Sequence, residues 1–355
     1  NDTITGGSGS DTLSVIFAGN ASSSADIASL TSIETYKSAT NHAGGFTFAD
    51  ANFVSNNFTV DATANTTAAF TVDASAEDDS TMTYTGGAGI DTVTGTAVTA
   101  TGDTISTGAG ADIITGGRGN DTITGGADAD VFTYTAANQS TGSERDSITD
   151  FTSGTDTFAV TLDHSSNTNG LTFDATIQTA RAGTTLVQEN LSGSIGQVIY
   201  DTTNSRMIVN NNADNLVTTL DYQIDVNAAT TATSTIADGD IDFTISSGSG
   251  GDTIVTGAGD DTIVSGTGAD IITAAGGNDT ITVSTGTDTI KIAFGGEGVD
   301  TIIGFTAGTD IIDFTGTSDA TSTADDDGFI LIDTDTNTNL SDGFTVIDNA
   351  GSKSV

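Results

Sequence analysis

Aspartates recur in this chain at a fixed interval, and their type and spacing point to metal chemistry. Between Gly86 and Thr133 they stand at Asp91, Asp103, Asp112, Asp121 and Asp130, in one step of twelve and then steps of nine. A second array runs through Asp252, Asp261, Asp270, Asp279, Asp288 and Asp300, in nines until a final twelve, and Asp2 and Asp11 are nine apart as well. Two residues after each lies an apolar side chain, such as Val93, Ile105, Ile114, Ile123, Ile263 or Ile272. Two residues before most of them lies glycine, as at Gly110, Gly119, Gly259 and Gly268.

The unit around Asp121 reads Gly116-Gly117-Arg118-Gly119-Asn120-Asp121-Thr122-Ile123-Thr124. A glycine-rich hexapeptide turns sharply because glycine accepts positive φ, and it directs carbonyls inward along with the carboxylate. The x-apolar-x triplet is a short strand with one inward side chain and outward threonines. Nine residues thus make half a coil, and aspartates 18 apart stack: Asp103 with Asp121, Asp112 with Asp130, Asp252 with Asp270, Asp261 with Asp279, Asp270 with Asp288. Carboxylates about 5 Å apart repel unless a cation lies between them. A set of oxygen donors without histidine or cysteine suits calcium better than magnesium or zinc. The candidate ligands are these aspartates with the loop glycines Gly108, Gly110, Gly117, Gly119, Gly257, Gly259, Gly266 and Gly268.

The unit resembles the G-G-x-G-x-D-x-U-x nonapeptide of RTX (repeats-in-toxin) proteins, strongly over residues 86–158 and 246–314 and as a fragment over 1–14. The resemblance implies a right-handed parallel β-roll loaded with multiple Ca2+ ions. Asp128 before Asp130, Thr101 before Asp103 and Ala274-Ala275 before Asp279 depart from the motif, so weaker or differently liganded sites are expected there. Each array is followed by a second shared pattern: Asp146-x-Ile148-x-Asp150-Phe151-x-x-Gly154-x-Asp156-x-Phe158, and Asp300-x-Ile302-x-Gly304-Phe305-x-x-Gly308-x-Asp310-x-Ile312. It looks like the segment that closes the open end of RTX rolls, and it adds Asp146, Asp156 and Asp310 to the candidate ligands.

Other chemistry is excluded or unsupported. The 355 residues include 48 acids, 7 bases and 2 histidines, for a net charge of −41, which argues against nucleic acid as a partner. Cysteine, proline and tryptophan are absent, which removes disulfides and thiolate sites. His-Glu-x-x-His, Gly-x-Ser-x-Gly and Walker motifs are lacking, and His42 and His164 stand alone. No catalytic residues are assigned, and no enzyme activity is expected. No apolar run approaches the length of a membrane span. Asn1 falls at the fifth position of a nonapeptide with no loop before it, so the chain is expected to be part of a longer polypeptide.

The expected architecture is all-β: parallel β-roll and β-solenoid modules with a small inserted β unit. Residues 1–85 read as a β-solenoid of different coil length, with Phe58, Phe70 and Met82 twelve apart. Residues 86–158 form the first roll with its closing segment, 159–245 an inserted unit with a hairpin around Asp201–Asn204, 246–314 the second roll, and 315–355 a C-terminal β segment. Three extracellular functions fit. The first is a structural protein that self-assembles into a surface layer, sheath or filament on a bacterial cell, in the manner of the RTX-containing surface-layer proteins it resembles. The alternatives are an adhesin for glycan, surface or ice, and the C-terminal secretion and folding domain of a type I secreted enzyme. The expected partner is a second copy of the chain, with a cell-surface polysaccharide as a further candidate.

Overall fold

The computed structural model describes residues 4–15, 24–26, 30–41, 43–50, 57–99, 101–142, 144–165, 171–175, 177–178, 194–201, 205–211, 221–226, 238–292, 299–306, 308–313 and 331–333. Asp2 and most of the C-terminal segment lie outside them. Almost all the regular structure is β, and the strands stack in parallel as the walls of a solenoid. Among the described residues no helix is long and apolar enough to cross a membrane.

The coil shortens from the early segment into the first array. Phe58 pairs with Met82 at a separation of 24 residues, Thr83 with Thr104 at 21, and Ile105 with Ile123 at 18. The twelve-residue cadence of the early segment is therefore a half-coil of the same solenoid that carries the nonapeptides. Alternation along each strand sends one set of side chains inward. In the early coils the inward triplets are Phe58-Val60-Ala62 and Phe70-Val72-Ala74, all buried. In the arrays the triplet becomes aspartate, isoleucine and a small residue, as in Asp112-Ile114-Gly116. The change happens within one register, since Phe70 stands beside Asp91 and Val72 beside Val93. The central ladder Val93, Ile114, Phe132 and its counterpart Ile263, Ile281, Ile302 are buried in one hydrophobic core. Each such side chain contributes about 1.5–3 kcal/mol by leaving water.

The two arrays share a wall. One sheet of twelve strands runs from Ser24–Asp26 to Leu331–Asp333 without a break. At its middle, Thr157–Asp163 pairs directly with Ile241–Ser246, Phe158 beside Ile241 and Asp163 beside Ser246. The chain between them leaves the coil and returns. Part of that excursion is an antiparallel meander of Val198–Asp201, Arg206–Val209 and Tyr222–Val226, which joins the opposite wall through Ser147–Ile148. There the wall divides into an eleven-stranded and a five-stranded sheet.

The segment expected to cover the end of the first roll does not do so. Thr157–Asp163 has a parallel neighbour on each edge, Val131–Tyr134 and Ile241–Ser246, and is an interior rung. Its alternating apolar residues Phe158, Val160 and Leu162 pack inward like those of every other rung.

Candidate metal centre

Four ladders of aspartate run along the edges of the solenoid where loops enter strands. In each, a carboxylate accepts a hydrogen bond from the backbone amide of the residue one coil earlier. The first ladder carries Met82 N to Asp103 Oδ1 at 2.7 Å, Asp103 N to Asp121 Oδ1 at 2.7 Å and Asp121 N to Asp146 Oδ1 at 3.0 Å. On the other edge Asp91, Asp112 and Asp130 donate to Asp112, Asp130 and Asp156 at 2.7, 3.0 and 3.1 Å. The second array repeats this. Asp252, Asp270 and Asp288 donate to Asp270, Asp288 and Asp310 at 2.8, 3.0 and 3.1 Å, while Asp261 and Asp279 donate to Asp279 and Asp300 at 2.9 and 3.1 Å.

One oxygen of each carboxylate is thus committed, to a backbone amide in the ladders and to the Tyr84 hydroxyl in Asp91. The other is the informative one. In Asp112, Asp121, Asp130, Asp146, Asp252, Asp261, Asp270, Asp279 and Asp288 it is Oδ2, buried with no hydrogen-bond partner of ordinary geometry, and in Asp91 it is Oδ1. A buried anionic oxygen without a donor is costly. Ten of them at regular positions mark a place for a cation.

Space is kept in front of several of them. Gly116 and Gly125 face inward five residues before Asp121 and Asp130, and a Cβ on either would collide with the free Oδ2 of that aspartate. In the second array the equivalent positions are Ser247, Thr256, Ser265, Ala274 and Val283, all buried. Those hollows are narrower and in part lined by hydroxyls. The turn glycines have another task. Gly108, Gly110, Gly117, Gly119, Gly266 and Gly268 have positive φ, and Gly259, with ordinary φ, sits where a Cβ would strike the carbonyl of Ile241 in the neighbouring coil. Gly257 is buried, and its carbonyl accepts the amide of Gly276 at 3.3 Å.

Burial pushes the carboxyls up: Asp103 to about 6, Asp91, Asp130 and Asp279 to about 7, and Asp261 to about 8. Asp112, Asp156, Asp270, Asp288 and Asp300 move the same way for the same reason. Asp121 and Asp146 are raised furthest, by burial and then by neighbouring carboxylates on the ladder, which include Asp103. An oxygen-only donor set, buried and short of positive charge, fits a hard divalent cation.

Three of the expected ligands differ from the rest. Asp103 Oδ2 accepts the amide of Thr96 at 2.6 Å. Asp156 Oδ2 and Asp310 Oδ2 accept those of Thr152 and Thr306, both at 2.7 Å. The pattern after each array is therefore a tight turn, with Gly154 and Gly308 at φ 76° and 86°, that satisfies the last carboxylate of a ladder. Sequence reasoning missed Glu34, whose Oε2 takes the amide of Asp11 at 2.7 Å while Asp11 Oδ2 stays buried and unpartnered. Glu34 lies outside any nonapeptide, and only its place one coil after Asp11 identifies it. Tyr84, whose hydroxyl donates to Asp91 Oδ2 at 2.9 Å, gave no signal either.

Comparison with known families agrees with this geometry. The model of the RTX calcium-binding nonapeptide repeat matches in four copies, at residues 1–14, 99–132, 246–281 and 255–290. No curated relative matches the chain. The repeats indicate calcium binding and point to an extracellular protein of structural or adhesin-like character. These segments carry the RTX calcium-binding nonapeptide repeat, which supports a likeness of the chain to the RTX calcium-binding β-roll family.

Proposed function

We propose that the aspartate ladders bind Ca2+ ions between successive coils, and that the folded chain is a non-enzymatic structural protein that assembles with copies of itself into a surface layer, sheath or filament. The observation that carries this reading is the row of buried, unpartnered carboxylate oxygens. Asp91, Asp112, Asp121, Asp130, Asp146, Asp252, Asp261, Asp270, Asp279 and Asp288 would hold the ions, together with loop carbonyls such as those of Gly108, Gly117, Gly257 and Gly266. Because binding neutralises groups that folding buries, its free energy becomes folding free energy. Extracellular sites of this kind have affinities of about 10⁻⁴–10⁻³ M, which cytosolic calcium does not fill. The chain then folds outside the cell.

Features of the exterior support the self-assembly reading. Outward threonines such as Thr262, Thr280 and Thr301, adjacent in register, give one wall a repeated polar row that a second copy can meet. Identical rods join through repeated heterologous contacts. With a net charge of −41, copies approach only after cations reduce the repulsion. Analytical ultracentrifugation at millimolar calcium is the test: association reversed by chelator, and not reproduced by monovalent salt of equal ionic strength, is expected. A monomer at high protein concentration overturns the assembly. The adhesin reading then takes its place, supported by the exposed Ile271 and Ile311 that flank Thr289 on the five-stranded wall.

A further inference from the structure

A different group of carboxylates meets on the loop edge of the aromatic coils. Asp50 follows the strand Gly44–Ala49, and Glu77 follows Phe70–Ala76. These strands are neighbours with Ala49 beside Ala76, so Asp50 and Glu77 leave the sheet at the same height. One oxygen from each of Asp50, Glu77 and Asp79 lies within 4.8 Å of the others. Three oxygens no more than 4.8 Å apart lie at most about 2.8 Å from a common centre, so a small inward shift brings all three to the calcium range of about 2.3–2.6 Å.

Glu77 supplies the independent sign of a ligand. Its side chain is fully buried, Oε1 accepts the amide of Asp79 at 3.2 Å, and Oε2 is buried with no hydrogen-bond partner of ordinary geometry. The hydroxyl of Ser80, itself buried, donates to Asp79 Oδ1 at 2.9 Å and orients that carboxylate. Burial pushes Glu77 up to about 7, and Asp78 and Asp79 raise Asp50 by repulsion. None of the three residues has the nonapeptide phase, since no apolar residue stands two positions after any of them.

We infer that Asp50, Glu77 and Asp79 form a further calcium site, separate from the nonapeptide ladders, that ties the coil ending at Ala49 to the coil ending at Ala76. Its place is defined by the next coil: the carbonyl of Glu77 accepts the amide of Ala97 at 2.6 Å, in the loop that leads to Asp103. The site continues the Asp103 edge of the solenoid with other residues, where the aspartate position itself has become Met82 and Phe58.

Counting bound calcium per chain by native mass spectrometry, on the whole protein in calcium chloride, tests this. The double variant Asp50→Asn/Asp79→Asn alters two exposed side chains and is expected to hold one ion fewer, with the calcium midpoint of folding by circular dichroism moved less than about twofold. Glu77→Gln is expected to lose the same ion. A full complement of calcium in the double variant overturns the site, whether or not Glu77→Gln folds. An Asp270→Asn control reports on the ladders alone and so separates failure of this site from failure of the ladder assignment.

Discussion

At the residue scale, the decisive feature is a carboxylate with one oxygen on the backbone and one on nothing. Asp270 is bonded to the amide of Asp252, and its own amide is bonded to Asp288. Replacing it by asparagine keeps a hydrogen-bond acceptor but removes a charged ligand from two intervals of the ladder. The calcium midpoint of folding is expected to rise about tenfold. Asp326→Asn, in an acidic run outside the repeat phase, is expected to leave it unchanged. Equal midpoints for the two variants, followed by circular dichroism, would reduce the ladders to a matter of net charge. The raised carboxyls also fix a pH dependence. Unfolded aspartate titrates near about 3.9, whereas Asp103, Asp130 and Asp261 titrate in the fold at about 6, 7 and 8. Without calcium the folded chain binds more protons than the unfolded one between about pH 4 and 8, so its stability falls as pH rises through that window. Chelated protein is therefore expected to show more β signal at pH 4.5 than at pH 7.5, and calcium added at pH 7 to release protons. A flat profile in chelator contradicts this.

At the element scale, glycines of successive loops do two jobs that substitution separates. Gly116 has ordinary φ, and its missing side chain leaves room for Asp121 Oδ2; Gly126 has φ 114° and lies against the carbonyl of Gly108. Gly116→Ala is expected to fold but to need about tenfold more calcium, because the methyl group occupies the ion's side of the carboxylate. Gly126→Ala is expected to lose the first array at any calcium concentration, through left-handed backbone strain and contact with the preceding coil. Similar calcium titrations for both variants would show that the space before Asp121 is irrelevant. The period of nine made the strands, the stacking of aspartates 18 apart and the ligand type legible in the sequence, since a single side chain per strand is directed inward. The fate of Phe158 was not legible. Alternation tells which face of a strand is apolar but not whether a further strand lies beyond it, and the partner, Ile241, is far along the chain. Glu34 and Glu77 were hidden for a similar reason: their meaning comes from the coil beside them, in a part of the solenoid where coil length is irregular.

At the scale of the whole molecule, the unbroken wall makes the two arrays neighbours. Ile241–Ser246 has Thr157–Asp163 as its partner on one side, so the second array rests on the first. In stacked folds, stability spreads through nearest-neighbour contacts. Asp112→Asn/Asp130→Asn is accordingly expected to speed amide exchange at Ile241–Ser246 and to change it little at Thr289–Ile292. Unaltered exchange at Ile241–Ser246 would mean that each array closes on itself. The same stacking gives the molecule a direction. Tyr36, Phe46, Phe48, Phe58 and Phe70 pack together through their rings, with Tyr36 and Phe48 4.9 Å apart edge to face and Phe48 and Phe58 at 4.8 Å. Phe70 then hands its place in the register to Asp91. The aromatic coils are a primer in the polymer sense. Their ring packing orders those coils without a nonapeptide ladder, so calcium loading of the ladders is expected to act as elongation, rung by rung, from that end toward the other.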